Sequence, residues 1–275
     1  MANHFQVACV QMCSSRNVAE NIKQACVLIE EAADAGADLV ITPEMTSLLE
    51  QQTKVLFANV FKEEEDPALK RFRDVARERG IWLVIGSLPI WLSDTQIANR
   101  CYVLSPQGDV VSFYDKIHMF DVDLAGGESY RESQNFQPGE RGVVAQTPWG
   151  GLGLSICYDV RFPALYRDLA QNGAAFLTVP AAFTQQTGEA HWHVLLQARA
   201  IETGCYVFAS AQTGQHECGR LTYGHSLIIS PWGEVLADGQ TDVGFISASI
   251  DLEGVAQART KVPSLQHDRP FRIEP

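Results

Sequence analysis

The sequence lacks the features that mark membrane-spanning, secreted and disulfide-bonded proteins. No apolar run approaches the roughly 18 residues that cross a bilayer. Residues 1–11 show no basic region, apolar core and cleavage site of a secretory signal. The seven cysteines are scattered and include no Cys-x-x-Cys pair, which argues against a disulfide framework and against a zinc site. We therefore expect a cytoplasmic protein that binds no metal ion and needs no cofactor.

Positive charge is also scarce. The chain has 21 Lys and Arg residues against 33 Asp and Glu residues, which gives a formal net charge of −12. Binding to nucleic acid or to an anionic membrane requires a clustered excess of Lys and Arg, so neither is an expected partner. Hydrophobic residues make up 46% of the chain, which is enough for a sizeable core. A globular enzyme with a small-molecule substrate fits this composition.

Apolar runs rich in Val, Ile, Leu and Phe alternate with segments of helical period, which predicts an α/β fold. The same order of strands and helices occurs twice along the chain. The first half has predicted strands at 5–12, 38–43 and 81–88, helices at 17–36 and 66–79, and a hairpin at 98–113. The second half has predicted strands at 152–157, 174–179, 205–211 and 243–250, helices at 162–172 and 191–203, and a hairpin at 224–237.

The two hairpins also resemble each other in sequence, since residues 104–110 and 229–235 both contain a Ser-Pro-x-Gly turn between strands. Two such halves, each with a mixed sheet covered by helices, would bury their sheets against one another. This arrangement predicts a four-layer α-β-β-α sandwich within a single domain, residues 1–275. The polar, proline-containing segment 251–275 is predicted to be an arm that could pack on a partner subunit or on its own domain.

Four reactive side chains follow predicted strands, where side chains leave the packed core. Glu44 comes directly after an apolar run that Pro43 ends, and Cys157 lies at the end of another. Lys116 follows the first hairpin, and Glu132 lies in the loop beyond it. Each residue has an ordinary alternative: Glu44 as a solvated loop carboxylate, Cys157 as a buried structural thiol, and the other two as surface charges.

The segments that carry these four residues resemble the nitrilase superfamily of carbon-nitrogen hydrolases. The resemblance covers nearly the whole chain, from Val7 to about Arg269. It is carried by Pro43-Glu44, by Tyr114-Asp-Lys-Ile-His-Met-Phe-Asp, by Arg131-Glu-Ser and by Ile156-Cys-Tyr-Asp-Val-Arg-Phe-Pro. The resemblance implies the α-β-β-α sandwich and assembly into homodimers or larger homo-oligomers.

The resemblance also implies catalytic roles. Cys157 would be the nucleophile, Glu44 the general base, and Lys116 the group that stabilises the transition state. Glu132 would position Lys116 or the substrate, and the backbone N–H of Tyr158 would complete an oxyanion hole with Lys116. A free thiol is only about 3% thiolate at pH 7, so a nucleophilic cysteine needs a base and a cation nearby.

Within the superfamily, the chain resembles the Nit branch and is most similar to the deaminated-glutathione amidases. The segments concerned are 180–192, 199–207, 211–212 and 223–226. The resemblance implies a non-peptide amide bond as the substrate, cleaved through a cysteine thioester to 2-oxoglutarate and Cys-Gly. An ω-amidase acting on 2-oxoglutaramate is the alternative, as is another hydrolase of small amides, N-carbamoyl compounds or nitriles.

Five side chains are predicted to form the substrate pocket. Arg161 and Arg199 are candidates for binding a substrate carboxylate, since an anionic substrate needs local positive charge in a protein of net charge −12. Both arginines flank helices and could equally make structural ion pairs with Asp159 or Glu202, an interpretation that is favoured for Arg199. Further pocket candidates, after a strand end in the second half, are Phe183, Thr184 and His191.

The same residues allow other interpretations. His191 and His193 lie two residues apart on a helix, so they face different directions and make a poor metal site. A dyad of Cys157 with His225 lacks any papain-type signature. Outside enzymes, the fold could be a binding scaffold, or Cys157 could be a peroxide-sensing thiol. The presence of all four catalytic residue types argues against a scaffold without activity.

Overall fold

A computed structural model describes residues 3–124, 127 and 129–274 of the chain. Its strands, in chain order, are β1 (His4–Gln11), β2 (Leu39–Ile41), β3 (Trp82–Ser93), β4 (Gln96–Leu104), β5 (Val110–Asp115), β6 (Asp121–Asp123), β7 (Ser129–Arg131), β8 (Val143–Thr147), β9 (Gly150–Leu154), β10 (Ala174–Thr178), β11 (Tyr206–Ala209), β12 (Thr213–Gln215), β13 (Leu221–Tyr223), β14 (Leu227–Ile229), β15 (Val235–Asp238) and β16 (Gly244–Asp251). Its α-helices are α1 (Val18–Asp34), α2 (Thr53–Phe57), α3 (Pro67–Arg79), α4 (Pro163–Gln171), α5 (Gln185–Thr203) and α6 (Glu253–Lys261).

The strands form two six-stranded sheets whose pairing repeats. The first sheet has the order β16-β1-β2-β3-β4-β5, and the second has the order β15-β14-β11-β10-β9-β8. In the first, β1, β2 and β3 are parallel and are followed by the antiparallel β4 and β5. In the second, β9, β10 and β11 are parallel and are followed by the antiparallel β14 and β15. The repeat predicted from the sequence is therefore present in the sheets.

The two sheets face each other across a shared apolar core and are covered by helices on their outer faces. Side chains of β1, β2, β9 and β10 belong to one continuous cluster between the sheets. A second cluster fills the space between the first sheet and helices α1 and α3, while α4 and α5 cover the second sheet. This four-layer α-β-β-α sandwich confirms the predicted fold class.

Local sequence signals explain where the main helices begin and end. The side chains of Asn17 and Asp66 accept hydrogen bonds from the backbone N–H groups of the first turns of α1 and α3. Helices α3 and α5 end at Gly80 and Gly204, both with left-handed backbone conformations that glycine adopts without steric cost. The predicted boundaries of α1, α3 and α4 agree with the structure to within two residues.

The largest difference from the predicted elements is at α5, which begins at Gln185 rather than at residue 191. The polar first turns of this helix, which include Gly188, carry no helical hydrophobic period, so the sequence did not reveal them. The strands β6, β7, β8, β12 and β13 and the helix α2 were also not predicted. None is longer than five residues, which is too short for a periodic pattern to stand out.

The predicted C-terminal arm contains α6 and a short 3-10 turn, Ser264–Gln266. Arg259 of α6 donates hydrogen bonds to the backbone carbonyl oxygens of Thr203 (3.1 Å) and Ala174 (2.7 Å). The following turn contacts α4 and α5. The arm therefore packs against its own second sheet and helices, and contact with a partner subunit stays a prediction. None of the helices in the described ranges is both long and apolar enough to cross a membrane.

Candidate active site

Glu44 is held in the interior by both halves of the molecule. It lies just beyond β2, the three residues of which are all buried, and its side chain is 4% exposed. One carboxylate oxygen, Oε1, accepts a hydrogen bond from Asn99 Nδ2 (3.0 Å). The other, Oε2, accepts one from the backbone N–H of Ala182 (2.8 Å), and Gln212 Nε2 binds the Glu44 carbonyl oxygen (3.0 Å). These hydrogen bonds fix the position and the orientation of the carboxylate.

Lys116 lies between two carboxylates at the end of β5. Its Nζ donates to Glu44 Oε1 (2.9 Å) and to both oxygens of Glu132 (2.9 and 2.8 Å). The Lys116 backbone N–H donates to the carbonyl oxygen of Asn99 (3.0 Å), and the Asn99 side chain contacts both glutamates. Glu132 is fixed further by the backbone N–H of Phe120 (2.7 Å). The structure thus brings three of the four predicted catalytic side chains into direct contact.

Cys157 occupies a strained turn beyond β9. Its backbone has φ +49°, an uncommon conformation for a residue other than glycine. Its N–H donates to the carbonyl oxygen of Pro180 (2.9 Å), and the 3-10 turn Cys157–Arg161 continues into α4. The buried Asp159 carboxylate holds this turn, because it accepts from Ile156 N–H (2.8 Å) and from Tyr114 Oη (2.7 Å). The strain is therefore maintained by buried hydrogen bonds.

Burial and the charges of the site together shift the pKa values of Cys157, Glu44 and Lys116. Burial and the Glu44 carboxylate raise the pKa of the Cys157 thiol, and the cations Lys116 and Arg220 offset only part of that rise. Burial opposes ionisation of Glu44, but the charges of Lys116 and then Arg220 overcome it and lower the Glu44 pKa below 4.5. Burial also opposes the charge of Lys116, but Glu132 and Glu44 outweigh it and raise the Lys116 pKa.

The resting site therefore contains a neutral thiol, a carboxylate and an ammonium group. The N-terminal end of a helical segment can stabilise a thiolate, and Cys157 begins such a turn. The raised thiol pKa shows that burial and the Glu44 charge dominate instead. A neutral thiol beside a buried carboxylate base can lose its proton as it attacks.

Cys157, Glu44, Lys116 and Glu132 all line a cavity of about 260 Å³. A small recess adjoins this cavity at Cys157 and is lined in part by Tyr158. The other residues that line the main cavity are Met45, Leu49, Glu50, Gln51, Thr53, Leu56, Asn99, Phe120, Ser129, Tyr130, Arg131, Gln134, Asn135, Phe136 and Arg220. A concave site with several convergent polar groups is typical of a small-molecule binding site.

The predicted substrate-binding residues divide into two groups. Phe183 and Thr184 line the recess next to Cys157. Arg161, His191 and Arg199 line neither the cavity nor the recess. Arg161 lies against His191 Nδ1 (3.3 and 3.4 Å from its two Nη atoms).

Arg199 has a structural role. It is 5% exposed, and it donates hydrogen bonds to the Val160 carbonyl oxygen (2.9 Å) and to Glu202 (2.7 Å). Its guanidinium also lies 5.5 Å from the centre of the Tyr166 ring. The structure does not bring Arg199 to the cavity, because the helix α5 turns this side chain into the protein core, and its binding of a substrate carboxylate stays a prediction. The alternative pairing with Glu202 is the one observed.

Sequence reasoning missed two residues of the site. Asn99 bridges Glu44 and Glu132 from the middle of β4, where a buried amide gave no distinguishing pattern. Arg220 lines both the cavity and the recess, and it comes from the turn before β13. A single arginine in a short polar hairpin reads as an ordinary surface charge, so only the three-dimensional arrangement reveals it.

The histidines that the sequence raised as rivals have other partners. His225 Nδ1 lies 2.9 Å from an Asp238 carboxylate oxygen, so it is paired away from Cys157. His193 Nε2 lies 3.3 Å from the same carboxylate, whereas His191 contacts Arg161. One ligand atom from each of His193, His225 and Asp238 lies within 4.8 Å of the others, so these three could hold a metal ion. None of them lines the cavity.

Comparison with known proteins gives a consistent result. A sequence model of the carbon-nitrogen hydrolase family matches residues 6–260. Over 273 residues the chain is 39% identical to the deaminated glutathione amidase of Yersinia enterocolitica, covering 96% of this chain and 92% of that protein.

Two solved structures are also similar to this chain. The NitFhit protein of C. elegans superposes with a TM-score of 0.90 at 35% identity; the alignment covers 97% of this chain and 65% of that one. A mutant amidase from Nesterenkonia sp. AN1, at TM-score 0.82 and 26% identity, is similar over 96% of this chain and 94% of its own. That structure shows covalent addition of the acetamide moiety of fluoroacetamide at its active site cysteine.

Proposed function

The chain is a hydrolase of carbon–nitrogen bonds that belongs to the carbon-nitrogen hydrolase family, and we propose that it hydrolyses deaminated glutathione to 2-oxoglutarate and Cys-Gly. The observation that supports catalysis most strongly is the buried contact of Lys116 with Glu44 and Glu132 in the cavity that Cys157 lines. The substrate is supported by the similarity, over 96% of this chain, to the deaminated glutathione amidase of Yersinia enterocolitica.

In the first step, Cys157 attacks the amide carbon while Glu44 takes the thiol proton. The raised thiol pKa and the lowered carboxylate pKa favour this starting state, with the proton on sulfur and the base ionised. Glu44 then gives the proton to the departing amine, so that the carbon–nitrogen bond breaks and a thioester remains on Cys157.

The tetrahedral oxyanion would be stabilised by the Lys116 ammonium and by the backbone N–H of Tyr158. Tyr158 is the second residue of the 3-10 turn that begins at Cys157, and the first N–H groups of a helical turn have no partner within it. Glu132 would position Lys116, since both of its carboxylate oxygens accept hydrogen bonds from Nζ. Such preorganised donors are worth most in a water-excluded site.

In the second step, a water molecule hydrolyses the thioester. Glu44, which is again ionised after the amine leaves, takes a proton from that water as it attacks the thioester carbon. Glu44 then gives this proton to the sulfur, which leaves as the thiol, and the acid product is released. The fixed position of the Glu44 carboxylate, held by Asn99 and by the Ala182 N–H, lets one base serve both steps.

The experiment that tests the substrate compares deaminated glutathione with 2-oxoglutaramate and follows the release of 2-oxoglutarate. We expect a higher kcat/KM for deaminated glutathione and no activity in Cys157→Ala. A preference for 2-oxoglutaramate would make the protein an ω-amidase. Activity of Cys157→Ala equal to the wild type would contradict the mechanism, and binding of substrate with no cleavage by the wild type would favour the scaffold alternative.

We also propose that the protein forms a homodimer or a larger homo-oligomer in the cytoplasm. The support for self-association is a patch of apolar side chains, each more than half exposed, formed by Val194, Ile201, Trp232 and Val262. The turn at Gly233 lies close to Ile201, and Lys261 lies over the Trp232 ring, so Ile201, Trp232 and Val262 are neighbours; Val194 lies seven residues before Ile201 on the same helix. All seven cysteines carry free thiols, which fits a reducing compartment.

A further inference from the structure

Arg220 is fixed at the boundary between the main cavity and the recess beside Cys157. It lies in the turn that joins β12 to β13. Its Nη2 donates a hydrogen bond to the carbonyl oxygen of Ala182, and its Cζ lies 5.2 Å from the centre of the Tyr130 ring. The guanidinium is therefore held from two sides before any ligand is present.

Within the part of the chain that the structure describes, this cation has no carboxylate partner at ion-pair distance. Other arginines do: Arg100, Arg131 and Arg199, for example, each pair with an aspartate or a glutamate. The Nε of Arg220 is also buried, and no described atom accepts a hydrogen bond from it. An unpaired buried donor and an uncompensated cation both cost stability, and an anion in the cavity would relieve both costs.

The carboxylates of the cavity do not fill this role, because they are already engaged. Glu44 is close enough for Arg220 to lower its pKa, but its two oxygens bind Lys116, Asn99 and the Ala182 N–H.

The remaining charges are also occupied. Glu50 accepts hydrogen bonds from two backbone N–H groups and pairs with Arg16. Both oxygens of Glu132 bind Lys116. Arg131, the other arginine that lines the cavity, pairs with Asp123. Arg220 is thus the cation of the cavity lining, among the described residues, that is left for a ligand.

We propose that Arg220 binds a carboxylate group of the substrate and thereby selects anionic amides over neutral ones. The planar guanidinium presents N–H donors in a fixed fork that matches a carboxylate. The substrate carboxylate is not the reacting group, since Cys157 and Lys116 are directed at the amide. This inference rests on the proposed amidase function, and it replaces Arg161 and Arg199 as the residues that read substrate charge.

Binding without turnover tests this directly. Calorimetric titration of 2-oxoglutarate into the Cys157→Ala protein measures carboxylate binding in the intact cavity. We expect the added change Arg220→Gln to weaken binding about 10- to 100-fold, the range for losing hydrogen bonds to a charged group. The matched control is Arg167→Gln in the same background, which removes the same charge at a position that lines neither the cavity nor the recess and pairs with Asp268, and it should change binding by less than about threefold.

Kinetics provide the second readout. In the enzyme with Cys157 intact, Arg220→Lys keeps the positive charge near Glu44 but loses the fork. It should raise KM for 2-oxoglutaramate about tenfold or more, while hydrolysis of the neutral methyl ester of that amide changes by less than about threefold. Equal losses on both compounds would overturn the inference, because Arg220 would then act only on the catalytic charges.

The outcomes separate this inference from the proposed function. If the wild type hydrolyses no amide but 2-oxoglutarate binding still depends on Arg220, the amidase proposal fails and the carboxylate site stands. If amides are hydrolysed but 2-oxoglutarate binds equally well, or not at all, with and without Arg220, the carboxylate site is wrong and the amidase proposal stands. Circular dichroism of each variant checks that a loss of binding or of hydrolysis is not caused by a loss of the fold.

Discussion

At the scale of single residues, Lys116 determines the electrostatics of the site. The buried Glu44 carboxylate and the partly buried Glu132 carboxylate share its ammonium group, and each would be an unpaired anion of high energy without it. The same ammonium lowers the pKa of Glu44, which keeps the proposed base ionised at neutral pH. One side chain therefore supports the fold of the site, the state of the base and the proposed oxyanion contact.

Replacing Lys116 by Met should damage both stability and rate. We expect the free energy of unfolding to fall by about 3 to 5 kcal/mol, the usual cost of removing one partner of a buried ion pair. Loss of one oxyanion donor should lower kcat by about 100- to 1000-fold. Urea denaturation and steady-state kinetics measure the two effects. Lys23→Met, at an exposed lysine on α1, is the control and should change neither. A fully stable Lys116→Met protein would contradict this account.

The pH dependence of Cys157 alkylation follows from the Glu44 pKa. In the wild type the neighbouring cations lower that pKa from its ordinary value, so Glu44 stays ionised and the rate of modification by iodoacetamide should not fall as the pH drops from 8 to 5. In Lys116→Met, burial is no longer opposed by the adjacent cation, so the Glu44 pKa rises and the alkylation rate should fall within that range. Mass spectrometry of the modified protein gives the rate. Identical profiles for the two proteins would show that Glu44 is not the base.

The residues of the site differ in how visible they are in the sequence. Glu44 and Cys157 could be predicted because each directly follows an apolar strand, and the motif around Lys116 resembled a known family. Arg220 could not, because its hairpin is short and polar and its position at the cavity depends on contacts distant in sequence. Arg199 was predicted to line the substrate pocket but lies outside the cavity, because a charged residue on a helix gives no sign of which face it occupies.

At the scale of elements, the end of β2 depends on close packing against β3. A Cβ added to Gly86 would lie 2.0 Å from the Thr42 backbone oxygen and 2.5 Å from the Pro43 backbone oxygen. The backbone segment that leads to Glu44 therefore packs directly against Gly86. In the sequence, Gly86 is recognisable only as a residue within a strand. The contact that requires a glycine there is made with the segment that follows β2.

Replacing Gly86 by Ala should displace the segment that carries Glu44. We expect a loss of about 1 to 3 kcal/mol of stability from overpacking and a larger proportional loss of kcat, because the base moves. Gly142→Ala is the matched control, since its added Cβ would meet side-chain atoms no closer than 3.5 Å. Thermal denaturation and kinetics of both variants test this. Equal behaviour of the two variants would contradict the proposed role of this packing.

The regular elements were the most predictable and the short ones the least. The main parallel strands and helices α1, α3 and α4 carry clear periods or end signals, so their order gave the fold. The three-residue strands β6, β7, β12 and β13 are set by their neighbours rather than by their own sequence. Two of them, β12 and β13, form the hairpin that positions Arg220, so the sequence did not predict this part of the site.

At the scale of the whole molecule, the apolar patch on α5 and the adjacent turn predicts self-association. Light scattering of the purified protein should give the mass of a dimer or a larger oligomer. Ile201→Glu should shift it toward the monomer, because a buried unpaired carboxylate opposes association. Val27→Glu, at an exposed position of α1 that is outside the patch, should leave the oligomer unchanged. A monomeric wild type would contradict this proposal.

The central claim is that Cys157 forms a thioester with the acyl part of an amide substrate. The most direct test mixes the enzyme with deaminated glutathione, quenches it with acid within the first turnover, and measures the mass of the intact protein and of its peptides. We predict an added mass equal to the acyl group on the peptide that contains Cys157, and none in Cys157→Ala. Release of 2-oxoglutarate without such an adduct, accompanied by an active Cys157→Ala protein, would contradict the account.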